Sequence, residues 1–209
     1  FKHSFQMKKP KMAQERTLVL IKPDVLQRQL VGEILSRFER KGVKLTAMKM
    51  LNATREQVGE HYIDDEGYLI ETGEKARKGA IARGEDVTGW NSLEQGKKVR
   101  QRNINYLTCG PIIAIVFEGF GVISQVRKIL GSASPADGDI GTIRDDYSLD
   151  TYALADSIDR STMTMLHASD SVENAERELK IWFKESEICN NYETGVEKIF
   201  YDAEWSKGK

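Results

Sequence analysis

Apolar residues form three short runs that are typical of β-strands. The first run, TLVLI at 17–21, stops at Lys22-Pro23-Asp24, because proline lacks the backbone donor that a strand needs. VKLTAMKML at 43–51 alternates apolar and polar positions, which is the pattern of a half-buried strand. PIIAIVFEG at 111–119 is almost continuously apolar and predicts a buried strand.

Between these runs the apolar residues recur at helical spacing. Residues 30–42 place Leu30, Ile34 and Phe38 on one face, and Gly42 supplies a C-terminal stop. The segment from Thr54 to Gln57 has the form of a capping box, which predicts a short helix to about Tyr62. Residues 121–130 predict another amphipathic helix, and residues 131–148 have the composition of a loop.

The last part of the chain contains one more strand and helix. Met163, Met165 and Leu166 predict a short strand with His167 at or near its exit. The turn 168–171 offers several helix N-cap candidates, and a helical pattern runs to about Phe183. The order β-α-β-(α)-β-α-β-α suggests a ferredoxin-like βαββαβ sandwich, an α/β fold with an antiparallel four-stranded sheet and helices.

One long stretch does not follow these patterns. From residue 64 to about 105, six glycines interrupt the sequence and charged residues dominate it. We expect a surface excursion with partial helix, outside the core.

Composition excludes several classes of function. The chain has 209 residues, which suggests one domain, and its net charge is −1, so nothing indicates nucleic acid or a membrane as the main partner. No apolar run approaches the roughly 18 residues that span a bilayer. The two cysteines, Cys109 and Cys189, form neither a disulfide framework nor a metal motif, so a cytoplasmic, reducing compartment is expected.

Cations gather at the ends of the predicted elements, where functional groups often lie. Lys22 follows the first strand, Arg127 lies on the helix predicted at 121–130, Arg144 lies in the loop after it, and His167 ends the last strand. Guanidinium and ammonium groups of this kind suit a polyphosphate. Since 30% of the chain is charged, each one alone is equally well explained as an ordinary surface cation. No GxxxxGK[ST] loop is present, so phosphates would not be held by a P-loop.

Several motifs in order carry a resemblance to a known family. ERTLVLIKPDVLQRQLVGEIL, GVKLTAMKML, EHY, GPIIAIVFEG, GTIRDD, HASDSVENAERE and WF resemble the nucleoside diphosphate kinases, over about 15–63 and 105–202. The resemblance implies a ferredoxin-like fold and a homo-oligomer. It implies nucleoside di- and triphosphates as partners, with Mg²⁺ carried by their phosphates and not by protein ligands. The implied reaction is ping-pong transfer of a γ-phosphoryl group through phosphorylated His167.

The resemblance also assigns roles to individual residues. The catalytic set that it implies is His167, Lys22, Glu178, Tyr62 and Ser169. The nucleotide-binding set is Lys22, Tyr68, Ile70, Arg127, Ala133, Arg144 and Thr164. Purely structural alternatives stay open for three of these residues. Glu178 is alternatively an exposed helix residue, Tyr62 a core aromatic, and Ser169 a helix N-cap, a role that Asp170 could also take. His3 and His61 are expected to be surface or structural residues.

Three substitutions depart from the family pattern. Thr164 and Ala168 stand where family members usually carry Asn and Gly, and Ala133 stands for a threonine that touches phosphate. Ser132 and Ser134 are possible substitutes for that hydroxyl. These changes motivate the alternative of a non-catalytic nucleotide- or partner-binding member. A nucleic-acid binder of the same fold is disfavoured by the neutral charge.

The chain is also longer than the resemblance leads us to expect. We predict one domain over residues 15–205 with insertions near 66–103 and 147–162, and an added or processed extension at 1–14. An ungapped comparison puts Ile70, with Tyr68 nearby, where an aromatic would stack on the base. The first insertion is either a solvated flap or a lid over the nucleotide; for a lid, deleting 66–103 would raise the nucleotide KM strongly.

Overall fold

The computed structural model describes residues 14–189 and 191–200. In chain order the strands and helices are β1 Gln14–Ile21, α1 Pro23–Gln27, α2 Val31–Lys41, β2 Lys44–Leu51, α3 Arg55–His61, α4 Glu66–Ala82, α5 Ser92–Thr108, β3 Ile112–Phe120, α6 Val122–Leu130, α7 Ile143–Tyr147, α8 Tyr152–Ser157, β4 Leu166–Ala168, α9 Val172–Trp182 and α10 Gly195–Phe200. Apart from Gln14, the predicted N-terminal extension lies outside the described residues, as does His3.

The four strands form one antiparallel sheet in the order β2-β3-β1-β4. This is the ferredoxin-like arrangement that the element order predicted. Side chains of β1 alternate between two faces: Val19 and Ile21 join the core beneath α2 and α6, while Leu18 and Leu20 join the core beneath α3, α5 and α9. The sheet therefore lies between two helical layers, and its two central strands, β1 and β3, are buried.

Local sequence signals explain where the first elements begin and end. β1 stops at Ile21 and Pro23 opens α1, a short helix that the hydrophobic pattern did not predict. Gly42 ends α2 with a φ of +84°, which a residue with a Cβ adopts only at a cost. The predicted capping box is present: Gln57 N donates to Thr54 Oγ1, and Thr54 N donates to Gln57 Oε1, each at 3.2 Å.

The segment 64–105 is more helical than expected, and the expectation that it lies outside the core is wrong, because Ile104 belongs to a core cluster. Residues 66–82 and 92–108 form two 17-residue helices, α4 and α5, which pack against each other in antiparallel fashion. A Cβ on Gly73 would lie 1.8 Å from the carbonyl oxygen of Ser92, and one on Gly96 would lie 1.9 Å from that of Leu69. These glycines let the two backbones touch, so they belong to the helix interface and do not interrupt the helices.

The end of the chain differs from the prediction in two further ways. The last strand is Leu166–Ala168, so His167 is its middle residue and pairs with Leu20 on the adjacent strand β1. Met165, predicted inside the strand, has a φ of +63° and lies just before the strand begins. The loop predicted at 131–148 contains the short helix α7. No helix in the described part of the chain combines the length and apolarity needed to cross a membrane.

Candidate active site

His167 is fixed by a buried carboxylate on the neighbouring helix. Its Nε2 lies 3.0 Å from Oε1 of Glu178 on α9. Because a carboxylate only accepts hydrogen bonds, Nε2 must carry the proton, and Nδ1 keeps its lone pair. Burial alone would raise the pKa of Glu178, but the His167 ring and its hydrogen bonds lower this pKa to about 2. The ring is thus oriented, with Nδ1 as the free nucleophilic atom.

A hydroxyl holds the other oxygen of the same carboxylate. Ser169 Oγ donates to Glu178 Oε2 at 2.6 Å and accepts from the backbone N of Leu18 at 3.2 Å. Ser171 caps α9 by accepting from Asn174 N, so the N-cap alternative for Ser169 or Asp170 is wrong. Glu178 is only 4% exposed, so the exposed-helix alternative for it is wrong as well.

His61 lies against the His167 ring, although the sequence analysis expected a surface or structural role. The ring centroids are 4.4 Å apart and nearly perpendicular. Trp182 Nε1 donates to His61 Nδ1 at 3.3 Å, and burial lowers the pKa of His61 well below its usual value. A neutral imidazole therefore supports the His167 ring. The EHY motif contained this residue, but nothing in it indicated the contact.

Lys22 lies buried between β1 and α1, at the N-cap of α1. Its Nζ donates to Thr164 Oγ1 at 2.7 Å and lies 4.7 Å from the centre of the Tyr106 ring. Burial, together with the nearby charge of Arg144, lowers the pKa of Lys22 to about 7. A phosphate group would restore the charge of this amine by pairing with it.

Arg144 is anchored by backbone carbonyls. Its Nε donates to Thr164 O at 2.9 Å, and one terminal nitrogen donates to Leu166 O at 2.8 Å. The other terminal nitrogen donates to the carbonyls of Gly131 and Ser132, at 3.0 and 2.9 Å. Since a guanidinium has five N–H donors, four are used and one stays available to a ligand.

A cavity of about 480 Å³ opens in front of His167. Seven residues of the predicted site line this cavity: Lys22, Tyr62, Arg127, Ala133, Arg144, Thr164 and His167. Arg127, on α6, is exposed and makes no ion pair within the described ranges. Glu178 and Ser169 lie behind the ring and hold it. The cavity thus brings the His167 ring together with three predicted cations, Lys22, Arg127 and Arg144, from separate parts of the chain.

Two residues of the predicted nucleotide-binding set are not among the cavity's lining residues. The face of α4 that borders the cavity carries Thr72, Ala76 and Gly79. Ile70 lies on another face of this helix, and Tyr68 lies one turn before Thr72. Both side chains are about 40% exposed, and the ungapped comparison that selected them ran into an insertion. A stacking role for either stays a prediction.

The three departures from the family pattern have different local consequences. Ala168 lies in β4 without a positive φ, so its methyl group causes no backbone strain. Thr164 turns its hydroxyl to Lys22. Ala133 lines the cavity, but Ser132 and Ser134 are not among the lining residues, so they do not replace the missing hydroxyl in this arrangement.

The donor atoms for a metal ion are few. In the described part of the chain, the only cluster with three candidate ligands is His61, His167 and Glu178. Mg²⁺ prefers oxygen ligands, whereas this set offers two imidazoles and one carboxylate that is already hydrogen-bonded to His167 and Ser169. The residues therefore do not form a magnesium cage, which fits an ion carried by phosphate oxygens.

The sequence profile of the nucleoside diphosphate kinases matches residues 15–69 and 75–188. This chain belongs to the nucleoside diphosphate kinase family. The resemblance seen in the motifs is thereby confirmed, and with it an enzyme of nucleotide metabolism that transfers phosphoryl groups. The profile skips 70–74, which lie within α4.

Relatives in this family cover most of the chain. The nucleoside diphosphate kinase of Pyrobaculum aerophilum is 39% identical over 85% of this chain and 99% of its own length. That of Staphylothermus marinus is 40% identical over 86% of this chain and 99% of its own length.

Solved structures agree with this assignment. The NDP kinase from Pyrobaculum aerophilum has a TM-score of 0.82 at 37% identity and covers 85% of this chain and 100% of its own. A transition state mimic of the nucleoside-diphosphate kinase from Borrelia burgdorferi, with bound vanadate and ADP, has a TM-score of 0.74 at 31% identity and covers 91% of this chain and 98% of its own.

Proposed function

We propose that His167 takes the γ-phosphoryl group of a nucleoside triphosphate and passes it to a nucleoside diphosphate in a ping-pong reaction. The observation that carries this proposal is the pairing of His167 Nε2 with buried Glu178, which frees Nδ1 at a cavity bordered by Lys22 and Arg127. An imidazole oriented in this way is a nucleophile at neutral pH and needs no separate base.

In the first half-reaction, the Nδ1 lone pair forms a bond to the γ-phosphorus. The bond from that phosphorus to the bridging oxygen breaks, its electron pair stays on the oxygen, and the diphosphate leaves. The phosphorylated ring carries positive charge, which the ionised Glu178 stabilises through Nε2–H. The second half-reaction runs these steps backwards with another nucleoside diphosphate.

The cations act on the phosphate oxygens. Arg127 has no competing ion pair among the described residues, Lys22 lies at the same cavity, and Arg144 keeps one N–H donor. Charge on these oxygens is the main catalytic problem in phosphoryl transfer, so positive groups fixed in advance lower the barrier. Tyr62 borders the same space. Bound Mg²⁺ supplies further neutralisation of the phosphates, and the phosphates themselves hold it.

The proposal includes self-association as a homo-oligomer and a cytoplasmic location. The edge strand β2 leaves Met48 and Met50 at least half exposed, which suits a further contact on this side of the sheet. Cys109 and Cys189 are both free, as in a reducing compartment. Light scattering of the purified full chain measures the subunit number, and a monomer at micromolar concentration contradicts the proposed homo-oligomer.

Labelling with γ-³²P ATP tests the catalytic proposal. We expect acid-labile, base-stable phosphate on the protein that moves to added GDP. His167→Ala should take no label, while His61→Gln, which keeps an acceptor for Trp182, should still be labelled. Absence of label on the wild-type chain would refute the phosphohistidine mechanism.

The alternative of a non-catalytic nucleotide-binding member rested on Ala133, which offers the cavity no hydrogen-bonding side chain, and it conflicts with membership of a family of phosphotransferases. It predicts nucleotide binding without labelling.

A further inference from the structure

The cavity has two ends with different charge. At the His167 end, Arg127 makes no ion pair among the described residues and Lys22 contacts only neutral groups at hydrogen-bonding distance. On the opposite wall, three arginines are paired with acids: Arg83 and Arg102 with Asp156, and Arg160 with Asp150. A phosphate chain therefore finds free positive charge only at the His167 end.

The opposite wall is a seam between the two inserted segments. Arg102 of α5 lies 2.8 Å from Asp156 and 2.5 Å from Asp159, and Lys98 lies 3.3 Å from Asp159. A neutral hydrogen bond crosses the same seam, because Ser161 Oγ donates to Asn103 Oδ1 at 2.6 Å. The insertions near 66–103 and 147–162 thus meet along one side of the cavity.

The chain itself connects this seam to the nucleophile. Thr164, Thr162 and Ser161 line the cavity and precede His167 by three, five and six residues. Six residues of extended chain reach at most about 20 Å, and turns in this segment shorten the distance. A nucleotide with its terminal phosphate at His167 would therefore have this wall within reach of its sugar.

The amide of Asn103 is the free donor at this wall. Its oxygen accepts from Ser161, whereas no group within residues 14–189 and 191–200 accepts from its nitrogen. Asn103 lines the cavity, so the two N–H donors are offered to a ligand there. The side chain is only partly exposed, and Ser161 fixes its orientation, so little conformational entropy is lost on binding.

We propose that Asn103 binds the nucleoside by donating a hydrogen bond to a hydroxyl of its sugar. The proposal rests on the function proposed above for this cavity. A neutral donor on a wall whose charges are internally paired suits an uncharged hydroxyl and offers nothing specific to phosphate. The first insertion then contributes a residue that distinguishes nucleosides by the hydroxyls of their sugar. The second insertion positions that residue through Ser161.

Equilibrium binding of nucleotides to the full chain tests this assignment. Isothermal titration calorimetry should show about fivefold weaker ADP binding for Asn103→Ala, with pyrophosphate binding unchanged. The loss should shrink for 2′-deoxy-ADP or 3′-deoxy-ADP, whichever lacks the contacted hydroxyl. Asn103→Asp keeps the acceptor for Ser161 and removes both donors, so it should weaken ADP binding at least as much.

Asn105→Ala is the matched control, because Asn105 lies on the same helix but is exposed and contacts Arg55 and Gln101. It should bind ADP like the wild type. An unchanged ADP affinity in Asn103→Ala, an equal loss for pyrophosphate, or an equal loss for ADP and both deoxy analogues overturns the proposal. Labelling of His167 by ATP is measured separately, so failure of the kinase mechanism is distinguishable from failure of this assignment.

Discussion

Lys22 should take up a proton when nucleotide binds at neutral pH. Burial and the charge of Arg144 lower the pKa of Lys22 to about 7, so much of the free protein carries a neutral amine at pH 7.5. A triphosphate next to Nζ provides strong opposite charge and raises this pKa again. Binding and protonation are therefore linked.

The number of protons taken up follows from the pKa of Lys22 in the free protein. With a pKa of about 7 in the free protein, about one quarter of the amines are charged at pH 7.5 and about nine tenths at pH 6. If the complex is fully protonated, binding takes up about 0.75 proton at pH 7.5 and about 0.1 at pH 6. Below pH 7 the amine is charged in both states, so the nucleotide affinity falls only as pH rises through 7.

Calorimetric titration of ADP in buffers of different ionisation enthalpy measures this uptake directly. Protons exchanged by the nucleotide itself are common to all variants, so the relevant quantity is the difference between wild type and Lys22→Met. Lys75→Met is the control, since Lys75 borders the same cavity but is largely exposed. An uptake at pH 7.5 that is the same in wild type and Lys22→Met would refute the reasoning.

Three more predictions follow from the site and the insertions. Glu178→Gln should slow phosphoenzyme formation about 100-fold with little change in ADP affinity, measured by rapid-quench labelling; equal rates would contradict the role given to the carboxylate. Gly73→Ala should cost about 2 kcal/mol in urea unfolding because its Cβ meets backbone, whereas Gly32→Ala, which has open space around it, should stabilise by up to about 1 kcal/mol. Arg102→Ala should speed proteolysis within 147–162, because it removes the pairs with Asp156 and Asp159; an unchanged cleavage rate would show that these pairs do not hold the seam.

Periodicity sufficed to predict the strands and the helices α2, α6 and α9, because one face of each of these helices is buried. Periodicity failed at glycines, because a glycine can either interrupt a helix or allow two helices to pack closely. In the first insertion Gly73 and Gly96 looked like helix breakers, but they allow contact between two helices. A single sequence does not contain the partner helix that makes this difference.

The site residues that lie in short sequence motifs were predicted. His167, Lys22 and Arg144 are brought together at one cavity as expected. The contact of His61 with His167 and that of Asn103 with Ser161 were missed, since each joins residues that are far apart in sequence. No local pattern marks such a contact.

Arg144 joins the loop after α6, helix α7 and the segment before β4 through its four carbonyl contacts. Its replacement by lysine would preserve the positive charge but leave several of these oxygens without a donor. Such a variant should lose thermal stability and phosphate affinity together. A slower reaction in an Arg144 variant would therefore reflect damage to the cavity wall as much as lost recognition of phosphate.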